Sequence, residues 1–537
     1  MPKAMINRIY KALAITDPEK RILQGSALER NSFPIKIPNS RISFSEFREL
    51  EEIPDLTISI DPQERLRCSH GMSYWDLLRI RNGKISNVAD AVAKPSTDAA
   101  IKSLISVAHH HRIPLIPIGG RTGVTEATNI RDKAIVVDLQ RMNHVVEFIP
   151  SSCLAIVEAG ILLPDLEKWL GERNYRFGHS PQSFLSASVG GSIAARGAGQ
   201  FSSIYGHIGD MISDLEVLTP VGTFRNRNNL VPESAAGPDL NEIFVGSEGA
   251  LGIIAKAGVK IHPIQTIQFA SFLFKSFEDG LKAISEFYQK GVRPAVIRLS
   301  DKEETGLFLD TTLEGRQTHK AFLRKMLSSY LWLKGSVLEG SCLLLLVFDG
   351  HTKINSASKK IASSISKRNG AIPLGSVPAK RWYKERYELP FYRDTLMSSG
   401  ILVDTLETAA RWDKLPELYK KVTEELRKMC PIVTAHVSHV YDVGAAIYFT
   451  FMVLETYDWH DPLVKRIRKK IVDIFLNSAT ISHHHGVGSA FSEFLVRERP
   501  LLANELVSRI KLVLDPKGIM NPSAGLVYPN SDQWSQT

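Results

Sequence analysis

Three glycine-rich loops, each set against an apolar strand, constrain this chain most. The first, Pro117, Ile118, Gly119, Gly120, Arg121, Thr122 and Gly123, ends the run IPLIPI. The second is ASVGGSIAARGAG at 187–199, and the third is GSEGALGII at 246–254, which leads into a strand. A glycine turn after a strand lets successive backbone N–H groups converge on an anion such as a pyrophosphate. Small residues also allow a planar or phosphate-bearing ligand to come close. The spacing is neither G-x-G-x-x-G nor a P-loop, since no G-K-[ST] follows. Alone, each loop reads equally as a plain turn. Three within one α/β region predict a large cofactor threaded between subdomains.

The rest of the chain is arranged around that region. Its 537 residues are too many for one small core, so two or three domains are expected. Residues 1–88 are polar, with short helical pieces such as YWDLLRIRNGKI. Residues 89–266 alternate helix and strand: STDAAIKSLISVAHHH reads as a helix capped by Ser96 or Thr97, and LLPDLEKWLGERN as one opened by Pro164. Residues 267–430 repeat the order strand, helix, strand. This predicts a sheet, antiparallel, with helices on one face. Residues 431–537 carry the strand GAAIYFTFMVLE, a histidine run and a last helix, NELVSRIKLVLD.

Composition excludes several classes. The cysteines Cys68, Cys153, Cys342 and Cys430 lie far apart, without a C-x-x-C pair, so neither zinc nor a redox dithiol is suggested. The run CLLLLVF (342–348) is too short for a membrane span and reads as a buried strand. Net charge is +9, which favours anionic partners, but it is dispersed and no basic tail points to nucleic acid. The N-terminal stretch lacks an apolar secretory core and DQWSQT is no peroxisomal tripeptide, so a cytosolic location is the expectation. In RQTHKAFLRKMLSSYLWLKG (316–335), apolar residues including Trp332 mix with Lys and Arg. That pattern suits peripheral membrane contact, and equally a helix packed on its own domain.

Two histidine triplets occur. His109-His110-His111 closes a helix, where imidazoles are favourable toward the C-terminus. His483-His484-His485 precedes Gly486 and Gly488, so groups titrating near neutrality sit on a backbone able to turn tightly. Consecutive residues point different ways and no carboxylate or cysteine stands beside them, so no metal site is expected.

Taken together, PIGGRTG, VGGSIAARG and GSEGALG resemble the FAD domain of the vanillyl-alcohol-oxidase or PCMH type. The implied fold class is α+β: a PCMH-type FAD-binding domain of two α/β subdomains, plus a substrate or cap domain with an antiparallel sheet covered by helices. The resemblance implies FAD contacts from 117–123, Gln182, Ser183, Ser188, Gly190, Gly191, Ala195, Arg196, Gly197, Ala198, Ser247, Glu248, Gly249, Ala250, Leu251, Gly252, Ile253 and Ile254. No His or Cys lies in PIGGRTG, so the flavin is expected to be non-covalent. Arg121 stands where the family has Gly, and Gly123 where it has Ser. An arginine there can pair with the diphosphate or block the backbone approach, and both readings stand.

A narrower resemblance, from about 58 to 525, is to the alkyldihydroxyacetonephosphate synthase family. RFGHSPQS, GPDLNEIFVGSEG, RPAVIRLSD, YRDTL, YDVGAAIYFTF and SHHHGVG carry it. The implied reaction exchanges the acyl group of acyl-dihydroxyacetone phosphate for a long-chain fatty alcohol, through substrate joined covalently to FAD and without net redox. It implies a substrate phosphate on Arg393, Tyr448 in proton transfer, His483, His484 and His485 activating the alcohol, and two further substrate-binding residues, Arg298 near the flavin and His179 near the active centre. The bland readings are a surface salt-bridge arginine for Arg393 and a core tyrosine for Tyr448. LDPKGIMNP (514–522) looks like flavin-dependent 2-hydroxyacid dehydrogenases, and His436 and His439 depart from the ether-lipid pattern. A flavin oxidase or dehydrogenase of a hydroxy acid or alcohol is therefore the alternative, and a flavin- or lipid-binding protein without activity a third. A homodimer is compatible with all three.

Overall fold

In the computed structural model, the residues described are 3–15, 36–225 apart from 82, 84 and 86, 234–313, 340–454 and 463–526. The basic stretch 316–335 lies outside them. The chain forms two compact units. One comprises Ser32–Gly199, Tyr205–Ile264 and His484–Thr537; the other comprises Met1–Asn31, Gln200–Ile204 and Gln265–His483. The 431–537 segment therefore does not stay together, because the unit boundary falls between His483 and His484.

The first unit holds the glycine loops. Strands β1 (Leu56–Ser59), β2 (Ala91–Pro95), β3 (Leu115–Ile118) and β4 (Ile135–Asp138) form a sheet in the order β1-β2-β4-β3. β2 and β3 pair parallel with β4, while β1 is antiparallel to β2. The helix Asp98–His111 buries Ile101, Leu104, Ile105 and Ala108 at helical spacing. Thr97 caps its start, its hydroxyl accepting from the Ala100 N–H. A second sheet joins β5 (Val145–Ile149), β6 (Leu154–Glu158), β8 (Ile212–Thr219), β9 (Gly222–Arg225) and β10 (Ile253–Lys260), in the order β5-β6-β10-β8-β9 and antiparallel throughout. A two-stranded piece, β7 (Tyr175–Arg176) with β11 (His262–Pro263), completes the unit's pairing. Its C-terminal segment returns to the first sheet: the Leu115 N–H donates to the Ile519 carbonyl and the Asn521 N–H to the Leu115 carbonyl.

The second unit is built on one antiparallel sheet. Its strands are β12 (Thr266–Phe274), β13 (Val296–Ser300), β14 (Cys342–Gly350), β15 (Ile372–Gly375), β16 (Ile401–Arg411), β17 (Ile432–Val440) and β18 (Gly444–Leu454), in the order β15-β12-β14-β13-β17-β18-β16. β14 is the apolar run CLLLLVF; every residue from Cys342 to Phe348 is buried, as expected of a strand covered on both faces. Helices Phe277–Gln289, Thr352–Arg368 and Val377–Glu385 pack on it. The expected α+β organisation is what forms. Among the described residues, no helix is long and apolar enough to cross a membrane.

Candidate active site

In the first unit the three loops lie directly on one another. A Cβ at Gly119 would overlap the Ser188 hydroxyl, and one at Gly120 the Ser186 carbonyl. Ser188 caps the short helix Val189–Ala194, accepting from the Gly191 N–H at 3.1 Å. Gly249, at φ +77, leaves a Cβ position only 2.5 Å from Pro117 Cγ. Each loop also holds one non-glycine residue in the left-handed region: Arg121 (φ 56), Arg196 (φ 51) and Glu248 (φ 51). That conformation turns neighbouring N–H groups toward one side, the arrangement that binds anions. The N–H groups of Gly120, Arg121 and Thr122 are not taken up by any protein acceptor among the described residues. An FAD diphosphate therefore fits here, on backbone rather than on charge.

Arg121 does something neither reading anticipated. Its Nη1 donates to the Arg67 carbonyl at 2.5 Å. Its left-handed backbone explains why glycine suits the position. Gly123 has open space around a Cβ position, so serine and glycine are equally accommodated there. Other implied FAD contacts have side chains committed elsewhere. Leu251, Ile253 and Ile254 are buried in the apolar cores. Arg196 pairs with Glu242 at 2.8 Å. Gln182 and Ser183 are half-buried in a turn in which the Ser183 carbonyl accepts from the Ser186 and Ala187 N–H groups.

The Glu248 side chain is likewise engaged within the unit. Its buried carboxylate accepts from the N–H groups of Val487 (2.7 Å), Gly488 (2.9 and 3.0 Å) and Gly525 (3.3 Å). Burial raises its pKa, and those bonds work against the rise. A Cβ at Gly486 (φ +84) would fall 2.5 Å from that carboxylate, and one at Gly488 (φ +48) would overlap the Thr125 carbonyl. The two glycines after the triplet are thus required, and the Glu of GSEGALG holds the loop that carries His484 and His485. Thr125 adds a 3.4 Å bond from its hydroxyl to the His485 carbonyl. His179 is fully buried, neither ring nitrogen has a hydrogen-bond partner, and burial pushes its pKa down to about 3. It is a neutral imidazole beside Gly197 and Gly199 of the second loop.

In the second unit, strand register assembles a row. His436 of β17 and Glu407 of β16 both lie opposite Tyr448 of β18. Directly opposed residues share one face of a sheet. The His436 ring stacks on Tyr448 at 5.2 Å and 24°. His436 Nδ1 lies 3.0 Å from Glu304, which also pairs with Arg298 at 2.8 Å. Burial works to raise the Glu304 pKa, but Arg298 and His436 overcome it and hold the group at about 2. A bulge between Val437 and His439 places His439 opposite Ala446, on the same face as Tyr448. His439 then lies 5.0 Å from the His483 ring, and His483 Nε2 is 2.9 Å from the Tyr441 hydroxyl.

Tyr448 donates to Thr405 at 3.0 Å. Its pKa is driven up to about 12, chiefly by burial. The Thr405 bond opposes this, the Glu407 charge reinforces it, and the Arg393 charge opposes it. The hydroxyl is therefore protonated at neutral pH. Arg393, half-buried in the helix Tyr392–Ser398, has no protein partner among the described residues. So Tyr448, Arg393, Arg298 and His483 share one unit, whereas His179, His484 and His485 belong to the other. Sequence reasoning missed Glu407, Glu304 and Thr405. The available signal was an acidic pair inside the apolar strand ILVDTLETAAR; its other member, Asp404, is buried against Arg468 at 2.9 Å.

Comparison with known proteins places the chain in a family. A model of the FAD binding domain matches residues 89–227, and one of the C-terminal domain of FAD linked oxidases matches 264–524. An alkyldihydroxyacetonephosphate synthase of Dictyostelium discoideum is 31% identical over 483 residues, 88% of this chain and 78% of that protein. One from Trypanosoma brucei brucei is 30% identical over 492 residues, 89% and 79% respectively. A solved alkyldihydroxyacetonephosphate synthase structure superposes with a TM-score of 0.76 at 28% identity, covering 91% of this chain and 86% of that one. The chain belongs to the alkyldihydroxyacetonephosphate synthase family and is an FAD-dependent enzyme.

Proposed function

We propose that the enzyme exchanges the acyl group of acyl-dihydroxyacetone phosphate for a long-chain fatty alcohol. The observation that carries this reading is a tyrosine hydroxyl kept protonated by burial, within the field of an arginine that has no protein partner among the described residues. Arg393 takes the substrate phosphate through two parallel N–H donors. Bound FAD supplies an electron-accepting ring that activates the carbon bearing the acyl oxygen. The bond from that carbon to the acyl oxygen breaks, and the fatty acid leaves with the oxygen. The alcohol oxygen takes its place and gives its proton to a histidine of 483–485. Tyr448 holds a proton beside the reacting carbon, and Glu304 keeps Arg298 and His436 in place around it.

FAD-loaded protein incubated with acyl-dihydroxyacetone phosphate and labelled hexadecanol should yield labelled alkyl product and free fatty acid. Absence of product, with anaerobic bleaching of the flavin by D-lactate or glycolate, would instead support a hydroxyacid dehydrogenase. Peripheral membrane contact through 316–335 belongs to the same reading, because both substrates reside in bilayers. Co-sedimentation with anionic liposomes tests it.

A further inference from the structure

Glu407 lies in the middle of β16 with its side chain buried. An acid there is costly unless its oxygens are used. They are used on the segment that leads into the histidine triplet. Both carboxylate oxygens accept from the His483 N–H, at 3.0 and 2.9 Å, and Oε1 also accepts from the Ser482 hydroxyl at 2.9 Å. On its other flank, Glu407 is the cross-strand partner of Tyr448. One carboxylate thus touches the backbone beneath one candidate proton carrier and stands next to the other. Ser482, Thr480 and Thr408 add a short network that fixes the same turn: Thr480 Oγ1 donates to the Ser482 carbonyl at 3.1 Å, and Thr408 Oγ1 donates to the Thr480 carbonyl.

We propose that Glu407 is a positioning residue that couples Tyr448 and His483, setting the two groups relative to each other from a single buried carboxylate. It touches no substrate in this scheme. It acts by holding the His483 backbone at a fixed distance from the β16–β18 pair and by placing negative charge beside the Tyr448 hydroxyl. The inference rests on the proposed exchange reaction for its catalytic consequence, but not for its physical one.

The test is Glu407→Gln, which keeps shape and one acceptor oxygen while removing the charge. In resting protein labelled with ¹³C at tyrosine and histidine rings, the Tyr448 and His483 signals are assigned by their loss in Tyr448→Phe and His483→Asn. Coupling predicts that both move in Glu407→Gln, while Tyr419 does not. Movement of one signal alone, or of neither, overturns the proposal. With substrates, kcat should fall on the order of 100-fold, as a misplacement of about 1 Å can cause, with KM within about twofold because Arg393 is untouched. An unchanged kcat would also overturn it. Ser482→Ala removes one bond to the same carboxylate and should shift both signals by less than Glu407→Gln does. If Glu407→Gln does not fold, that variant decides: movement of His483 with a still Tyr448, or of neither, overturns coupling. Should the wild-type protein form no alkyl product, the exchange reading fails while the ring signals still report on Glu407.

Discussion

The two histidine triplets look alike in sequence and differ in what holds them. His109, His110 and His111 fill the last turn of a helix whose C-cap, Arg112, is left-handed at φ 55. His111 pairs with Glu49 at 2.9 Å near the surface, and the His109 carbonyl accepts from Lys517. Their backbone would follow the same path with other residues. His483 to His485 lie outside any helix or strand, and each end of the run is gripped by a buried carboxylate: Glu407 on Ser482 and His483, Glu248 on Val487 and Gly488. A histidine run is therefore diagnostic only through its backbone. Where hydrogen bonds of the helix suffice, the rings are incidental to the backbone; where buried acids hold the turn, the rings are placed.

The largest effect should separate the triplets by activity. His483→Ala is expected to lower alkyl transfer by about 10²- to 10⁴-fold, the range for losing a general acid or base. Replacing His109, His110 and His111 together with alanine should leave the rate within about threefold in the same assay. Equal losses would erase the distinction.

Next comes backbone. Gly488→Ala places a Cβ against the Thr125 carbonyl at a positive φ and should cost about 2–4 kcal/mol in denaturant unfolding. Gly518→Ala also has a positive φ, but open space, and should cost only about 1 kcal/mol.

Two His–Glu pairs sharpen the contrast further. Glu304 beside His436 is held at about 2 in the folded protein, below its ordinary 4.5. As pH falls through 4.5, the unfolded chain takes up the proton first, so this contribution to stability is present above that pH and is lost by about pH 2. Glu304→Gln should flatten the pH dependence of unfolding in that window. The smallest effect belongs to Glu49→Gln, opposite the surface His111, which should change stability by less than about 0.5 kcal/mol.

Much of this was legible in the sequence where local rules decide. The helix Asp98–His111 with its Thr97 cap, the β14 strand and the glycine loops follow from periodicity, capping and turn chemistry. The site residues named by motif resemblance fall into two units, and no local signal marks the break between His483 and His484. The acids in ILVDTLETAAR stand out in an apolar strand, but the roles of Glu407, and of Glu304 at a helix start, have no meaning until register sets what faces them. Likewise the role of Glu248 depends on residues more than two hundred positions away, and only the fold connects them.

The return of the chain at Met520 to the edge of β3 has a consequence for biosynthesis. β3 has left the ribosome long before its last hydrogen-bonding partners, Ile519 and Asn521, are made. At a translation rate of roughly 5–20 residues per second, that edge stays open for several tens of seconds. During this interval the nascent chain presents LIPI, flanked by unfinished glycine loops, as an unpaired strand. A chain cut short anywhere between residues 255 and 518 has made every glycine loop but lacks the segment that completes its first sheet.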